Sequence, residues 1–167
     1  MKKKKLNIAI LIVSDTRNIN TDKSGELLKK KIKSSHHNLF EKKICKDNKQ
    51  QIKKIIKDWL KIKNLNVIIA TGGTGLTKRD ITPEVLKFFF EKDIPGFGEI
   101  FRILSYKKIK TSSLQSRACA GISNGKYLFS LPGSPSACND AWDLIMKYQL
   151  DSSFKPCNLV EIIPKLK

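Results

Sequence analysis

Residues 67–84 read Val-Ile-Ile-Ala-Thr-Gly-Gly-Thr-Gly-Leu-Thr-Lys-Arg-Asp-Ile-Thr-Pro-Glu, and they restrict the possible folds more than any other stretch. Val67–Ala70 is β-branched and uncharged, as a strand covered on both faces must be. Thr82-Pro83-Glu84 reads as a helix start, with an N-cap hydroxyl, a proline at the first helical position and an acid in the first turn. Between them Gly72, Gly73 and Gly75 remove the side chains that would keep backbone N–H groups from an anion. A tight turn needing positive φ accounts for any one of these glycines, but not for three of them set among Thr71, Thr74, Arg79 and Asp80. The loop is neither of the common phosphate fingerprints. Thr77 stands where a P-loop needs the glycine before Lys-Ser/Thr, and Lys78 where GxGxxG needs its third glycine.

The same alternation extends on either side. Periodicity predicts strand Leu6–Val13, helix Ser24–Lys33, strand Leu39–Cys45, helix Lys49–Ile62, strand Asn66–Ala70 and helix Pro83–Glu91. Repeated β-α units imply a parallel sheet. Helix 49–62 carries Ile52, Ile55, Ile56, Trp59 and Leu60 on one stripe, which assigns Trp59 to the core. A helix from about Glu99 to Leu104 follows, then strands Ala118–Ile122 and Tyr127–Leu131 joined at Asn124-Gly125, a strong hairpin signal. Ser134 and Pro135 then open a last helix, Ser136–Gln149. With 167 residues and 40% apolar content the chain suits one α/β domain spanning 1–167.

In that arrangement Ser14-Asp15-Thr16-Arg17, Lys46-Asp47-Asn48, Thr71–Gly75 and Pro132-Gly133-Ser134 each follow the carboxyl end of a strand. Those ends share one edge of an open parallel sheet, where ligands bind. On residue type alone, Asp47 is best read as an N-cap for helix 49–62.

The net charge of +18 raises the question of nucleic acid. Its distribution argues against that partner. Only four of the 33 cations are arginines; the lysines are scattered, and no basic run is interleaved with aromatics. Arg17, Arg79 and Arg117 stand out because they lie in loop-like segments, where a planar guanidinium can grip phosphate or carboxylate with paired bonds. Cys45, Cys119, Cys138 and Cys157 form no CxxC pair, so reduced, mostly buried thiols are expected, and His36-His37 reads as a solvated loop. No apolar run approaches the ~20 residues that span a bilayer. The lysine-rich start lacks a signal-peptide pattern, so a cytoplasmic location without membrane association is expected.

These residues, in this order, resemble the MoaB/MogA family of molybdenum cofactor biosynthesis proteins. The match runs through Val-Ser-Asp-Thr-Arg at 13–17, Lys-Asp-Asn at 46–48, Thr-Gly-Gly-Thr-Gly-Leu-Thr at 71–77 and Arg-Asp-Ile-Thr-Pro-Glu at 79–84. It continues through Pro-Gly-Phe-Gly-Glu-Ile-Phe-Arg at 95–102, Leu-Ser-Tyr at 104–106, Gln-Ser-Arg at 115–117, Leu-Pro-Gly-Ser at 131–134 and Lys-Pro-Cys-Asn at 155–158. The segments at 95–99, 104–106 and 155–158 are similar to the B-type subgroup.

The resemblance implies a three-layer α/β/α sandwich with a mostly parallel sheet, the molybdopterin-binding domain fold. It also implies trimers or hexamers, molybdopterin as ligand, and other molybdenum cofactor biosynthesis proteins as partners. In active members ATP with Mg²⁺ adenylylates the terminal phosphate of molybdopterin and pyrophosphate leaves. The two family aspartates map to Asp47 and Asp80, which on this reading are catalytic and position Mg²⁺. Thr71, Gly72, Gly73, Thr74, Gly75 and Arg79 then receive ATP phosphates. Ser14, Asp15, Thr16, Arg17, Ser116, Arg117, Pro132, Gly133 and Ser134 take molybdopterin. A carrier of the same fold that binds molybdopterin without turning over ATP remains the alternative. Six large apolar side chains, Phe88-Phe89-Phe90, Phe97, Ile100 and Phe101, are more than one helix face can bury, and some are expected to seal a subunit contact.

Overall fold

The computed structural model describes residues 3–166; Met1, Lys2 and Lys167 of the expected 1–167 domain lie outside the described residues. Its centre is a six-stranded sheet of order β2-β1-β3-β6-β5-β4. The strands are β1 (Asn7–Val13), β2 (Asn38–Cys45), β3 (Val67–Thr71), β4 (Lys92–Asp93), β5 (Cys119–Ser123) and β6 (Lys126–Leu131). β2, β1, β3 and β6 run parallel, and β5 is antiparallel to both β6 and β4. At the β5–β6 hairpin Asn124 (φ 46°) and Gly125 (φ 70°) both take positive φ, the conformation that Asn-Gly favours in a two-residue turn.

Strand β1 shows why the sheet needs cover on both faces. Ile8, Ile10 and Ile12 enter one core with Leu28 and Ile32 of α1 (Lys23–Ser34), Phe97 and Phe101 of α4 (Pro95–Ile109), and Cys138 and Ala141 of α5 (Pro135–Ala141). Ala9, Leu11 and Val13 enter the other with Ile52, Ile56 and Trp59 of α2 (Lys49–Leu60) and Val85 and Leu86 of α3 (Thr82–Phe89). The period-2 alternation of one strand thus defines three layers. Trp59 is buried as expected, and its indole N–H donates to Glu41 Oε2 at 2.6 Å.

Several local expectations are corrected. Asn48, not Asp47, caps α2, its side chain accepting from the Gln51 N–H. The cap position of α3 falls to Ile81, so Thr82 is the first helical residue and makes no capping bond. Helix α4 begins at Pro95, four residues before the expected start, because proline followed by glycine reads as a break yet proline fits a first helical position. Ser134 does cap α5, but the expected long helix passes through a π-helical turn, Trp142–Met146, before α6 (Lys147–Gln149). His37 is buried, accepting from the Leu6 N–H at Nδ1, while His36 is exposed at φ 61°. Phe97 and Phe101 belong to the core and cannot seal a subunit contact. Phe88 is 68% exposed, as are Ile100 (49%), Ile103 (62%) and Tyr106 (53%) along α4. The short β4 and the C-terminal α7 (Leu159–Ile162) had no sequence signal long enough to detect.

Candidate functional site

Strand order reverses between β1 and β3: β2 lies outside β1 on one side and β6 outside β3 on the other. The crevice beyond their carboxyl ends is the topological switch point, and the loops singled out from sequence meet there. The glycine loop after β3 is pinned to its neighbours. Gly72 N–H donates to the Leu131 carbonyl at 3.1 Å, and Ser14 N–H to the Cys45 carbonyl at 2.9 Å. Thr71 Oγ1 donates to the Pro132 carbonyl at 3.0 Å. Gly72 and Gly73 take φ of 96° and 60°, which suits residues lacking a Cβ.

Asp47 sits beside this loop, because its role as a cap has passed to Asn48. A Cβ on Gly73 would lie 2.4 Å from Asp47 Oδ1 and 2.5 Å from Thr82 Oγ1, so only glycine lets those oxygens come so close to the loop. Both oxygens are buried without a hydrogen-bond partner. Leaving such a group unsatisfied costs about 1–3 kcal/mol, and each case needs a reason. Burial, and secondarily the charge of Asp80, raise the Asp47 carboxyl above the usual carboxylate range.

Asp80 is in the opposite condition. Its Oδ2 accepts from the Thr77 hydroxyl at 2.6 Å and the Thr77 N–H at 3.0 Å. The hydroxyl bond is the leading reason its carboxyl lies below the ordinary value, so it is ionised at neutral pH. Gly75 allows this turn: a Cβ there would meet Asp80 Oδ2 at 2.7 Å. The surroundings of two interacting carboxyl groups at the mouth of a glycine loop thus push them in opposite directions, Asp47 up and Asp80 down.

The arginines divide by what they already hold. Arg17 Nη1 donates to the Gly133 carbonyl at 2.8 Å and the Ser24 hydroxyl at 3.2 Å, which ties the β1 loop to the β6 loop. Arg117 donates to the carbonyls of Thr74 (3.3 Å) and Asp80 (2.6 Å) and pairs with Glu84. It braces both ends of segment 74–80. Arg79 alone is mostly exposed, with Asp15 as its ion-pair partner, and it can swing toward a ligand. Asp15 also accepts from the Asp47 N–H at 3.2 Å. Ser14 Oγ accepts from the N–H groups of Thr16 (3.3 Å) and Arg17 (3.2 Å) and fixes the β1 turn.

The structure therefore joins Ser14–Arg17, Asp47, Thr71–Gly75, Arg79, Asp80 and Pro132–Ser134 around one crevice. Ser116 is set apart from it. With Arg117, Arg102, Glu84 and Cys119 it lines an adjoining cavity of about 630 Å³ beyond the Arg117 brace. Sequence assigns Thr82, Thr77, Ser24 and Glu84 no place in the site; Thr82 is hidden because a threonine before proline reads as a cap. Burial pushes the thiols of Cys45, Cys119 and Cys138 up to about 11, so all three are neutral and unsuited to nucleophilic work. Among the described residues no group of three or more His, Cys, Asp or Glu could hold a metal ion by itself, and no helix is long and apolar enough to cross a membrane.

Comparison with known proteins identifies the family and matches the fold. Residues 9–152 match the family described as "Probable molybdopterin binding domain". The chain is 43% identical over 151 residues to molybdenum cofactor biosynthesis protein B of Escherichia coli (strain K12), covering 90% of this chain and 89% of that one. The crystal structure of a molybdenum cofactor biosynthesis protein B superposes with a TM-score of 0.88 at 35% identity, over 98% of this chain and 96% of the other. The tungsten cofactor synthesizing protein MoaB of Pyrococcus furiosus gives 0.77 at 34% identity, over 86% and 91%.

Proposed function

Because the chain belongs to the molybdopterin binding domain family, we propose that its glycine-loop crevice binds molybdopterin and transfers adenylate from Mg-ATP to the terminal phosphate, releasing pyrophosphate. The observation that carries this reading is the pairing of an ionised Asp80 with a buried, unpartnered Asp47 oxygen beside the glycine loop at the switch point. The donor set fits Mg²⁺, which takes one or two carboxylates and completes its shell with water and substrate phosphates. Bound by Asp47 and Asp80, it would offset the triphosphate charge and stabilise the departing pyrophosphate.

The remaining work falls to the chain itself. A phosphate monoester with a second pKa of about 6 is largely ionised at neutral pH, so no strong base is needed. The obstacle is repulsion between two anions. Backbone N–H groups of 71–75 and the movable Arg79 would take the ATP phosphates, while Ser14–Arg17 and Pro132–Ser134 form the opposite wall for the pterin phosphate. Arg117 and Arg17 hold those walls through the carbonyl bonds described above, and Ser116 borders the neighbouring cavity. As the phosphate oxygen attacks the α-phosphorus, one P–O bond forms and the bond to pyrophosphate breaks. Fixed donors around the crevice stabilise that charge without reorganising.

Pyrophosphate release from ATP that requires both molybdopterin and Mg²⁺ is the expected result with purified protein. Molybdopterin binding without pyrophosphate would establish the carrier alternative instead. The reading places the protein in the cytoplasm among other molybdenum cofactor biosynthesis proteins.

A homo-oligomer, trimer or hexamer, goes with this reading. Ile100, Ile103 and Tyr106 are exposed on α4, and Ile100 lines a groove of about 370 Å³ with Leu144 and Tyr148. Self-repulsion at +18 opposes association, so the assembly should tighten with added salt. Light scattering at micromolar concentration should give a mass several times 19.0 kDa, and Ile103→Glu should reduce it toward that value. A monomer at moderate salt would remove the interface and leave the single-subunit site intact.

A further inference from the structure

Of the buried side-chain oxygens among the described residues that meet no hydrogen-bond criterion, two, Asp47 Oδ1 and Thr82 Oγ1, come together at Gly73, whereas the third, Ser130 Oγ, has the Cys119 thiol beside it. The coincidence is structural in origin. Thr82 N–H donates to the Gly73 carbonyl at 3.0 Å, which fastens the start of α3 to the glycine loop. The Thr82 side chain is fully buried, and its hydroxyl is spared from capping because Ile81 occupies the cap position. On the other side, Asn48 caps α2 and leaves the Asp47 carboxylate beside the loop. Two helix starts thus each deliver an oxygen to the same point.

We infer that Thr82 is a positioning residue for Asp47: its hydroxyl donates to Oδ1 when the carboxylate turns its other oxygen toward a divalent cation. Asp47 as a whole is only half-buried although Oδ1 is not exposed, so one oxygen faces the protein and the other is left for a ligand. A carboxylate that serves a cation needs its inner oxygen held, or it rotates among orientations of similar energy. Thr82 provides an O–H without a competing partner, and Gly73 provides the room. The inference rests on the proposed Mg-ATP reading and extends it to the residue that orients the metal-side carboxylate.

The test uses Thr82→Val, which keeps the shape and deletes the hydroxyl, beside Thr82→Ser, which keeps the hydroxyl. Mn²⁺ affinity in the presence of ATP, followed by electron paramagnetic resonance, should fall about tenfold in T82V and stay within about threefold of wild type in T82S. The thermal midpoint of T82V should not fall, since an unpartnered buried oxygen is removed without leaving a cavity. Unchanged Mn²⁺ affinity in T82V, with wild type binding Mn²⁺ and Asp47→Asn weakened, would overturn the positioning role alone. Equal Mn²⁺ binding by wild type and D47N would overturn the carboxylate reading and this inference with it. A T82S variant as weak as T82V would also overturn it, because the hydroxyl would then not be the effective group.

Discussion

Asp80→Asn should leave the chain folded and able to bind molybdopterin, yet slow pyrophosphate release by about 10²-fold or more, a loss of about 3 kcal/mol of transition-state stabilisation. The substitution is informative because of what Asp80 accepts. Its Oδ2 takes bonds from the Thr77 hydroxyl and N–H, and an asparagine carbonyl oxygen can accept the same two. The turn at 77–80 should therefore survive, and Arg117 grips the backbone carbonyl of residue 80, which the change does not touch. What disappears is the negative charge, which the Thr77 hydroxyl bond favours by lowering the carboxyl below its ordinary value. Steady-state pyrophosphate release, with molybdopterin binding and urea midpoints measured in parallel, separates the two effects. Turnover within a factor of a few of wild type would remove Asp80 from any metal or charge-stabilising role. A collapse of stability would instead mean that its turn, not its charge, is what the loop needs.

Much of the site was legible because β-α alternation places every strand-end loop on one edge. Once β1, β2, β3 and β6 are parallel, Asp15, Asp47, Gly72 and Gly133 have to converge, and they do. Residue type and spacing do not reveal how a polar group is engaged. Sequence suggests that Arg17 and Arg117 grip a ligand, whereas their guanidinium groups bond carbonyls of neighbouring loops, a tertiary fact that no local pattern carries. Thr82 shows the same limit at a helix end, where shifting the cap by one residue turns a satisfied hydroxyl into a buried unpartnered one. The shift by one also released Asp47 from its structural role, since Asn48 could cap α2 equally well. Phe97 and Phe101 look much like Ile100 and Ile103 in sequence, and only the facing of α4 on the sheet separates the buried pair from the exposed one.

The glycine loop makes a second large effect testable, on stability. Gly72→Ala should lower unfolding free energy by about 3 kcal/mol, the upper end of what a strained backbone position costs. Two causes act together. At φ 96° an L side chain is disfavoured whatever space surrounds it, and the added Cβ would lie 2.1 Å from the Val13 carbonyl oxygen. That oxygen cannot easily retreat. Val13 ends a strand buried between β2 and β3, and the next residue is held by the Ser14 N–H to Cys45 carbonyl bond. Residue 72 cannot retreat either, because its own N–H is bonded to Leu131 and its Cα lies 3.1 Å from where a Cβ on Gly133 would be. Gly96→Ala is the matched control, since nothing lies within 4 Å of its would-be Cβ in the first turn of α4. Alanine's better helix propensity should make it neutral to stabilising by up to about 1 kcal/mol. Urea denaturation of both variants reads the contrast directly. Equal midpoints would show that the β1 and β3 loops can part at little cost, and the crevice would then lack the rigidity that a preorganised phosphate site requires.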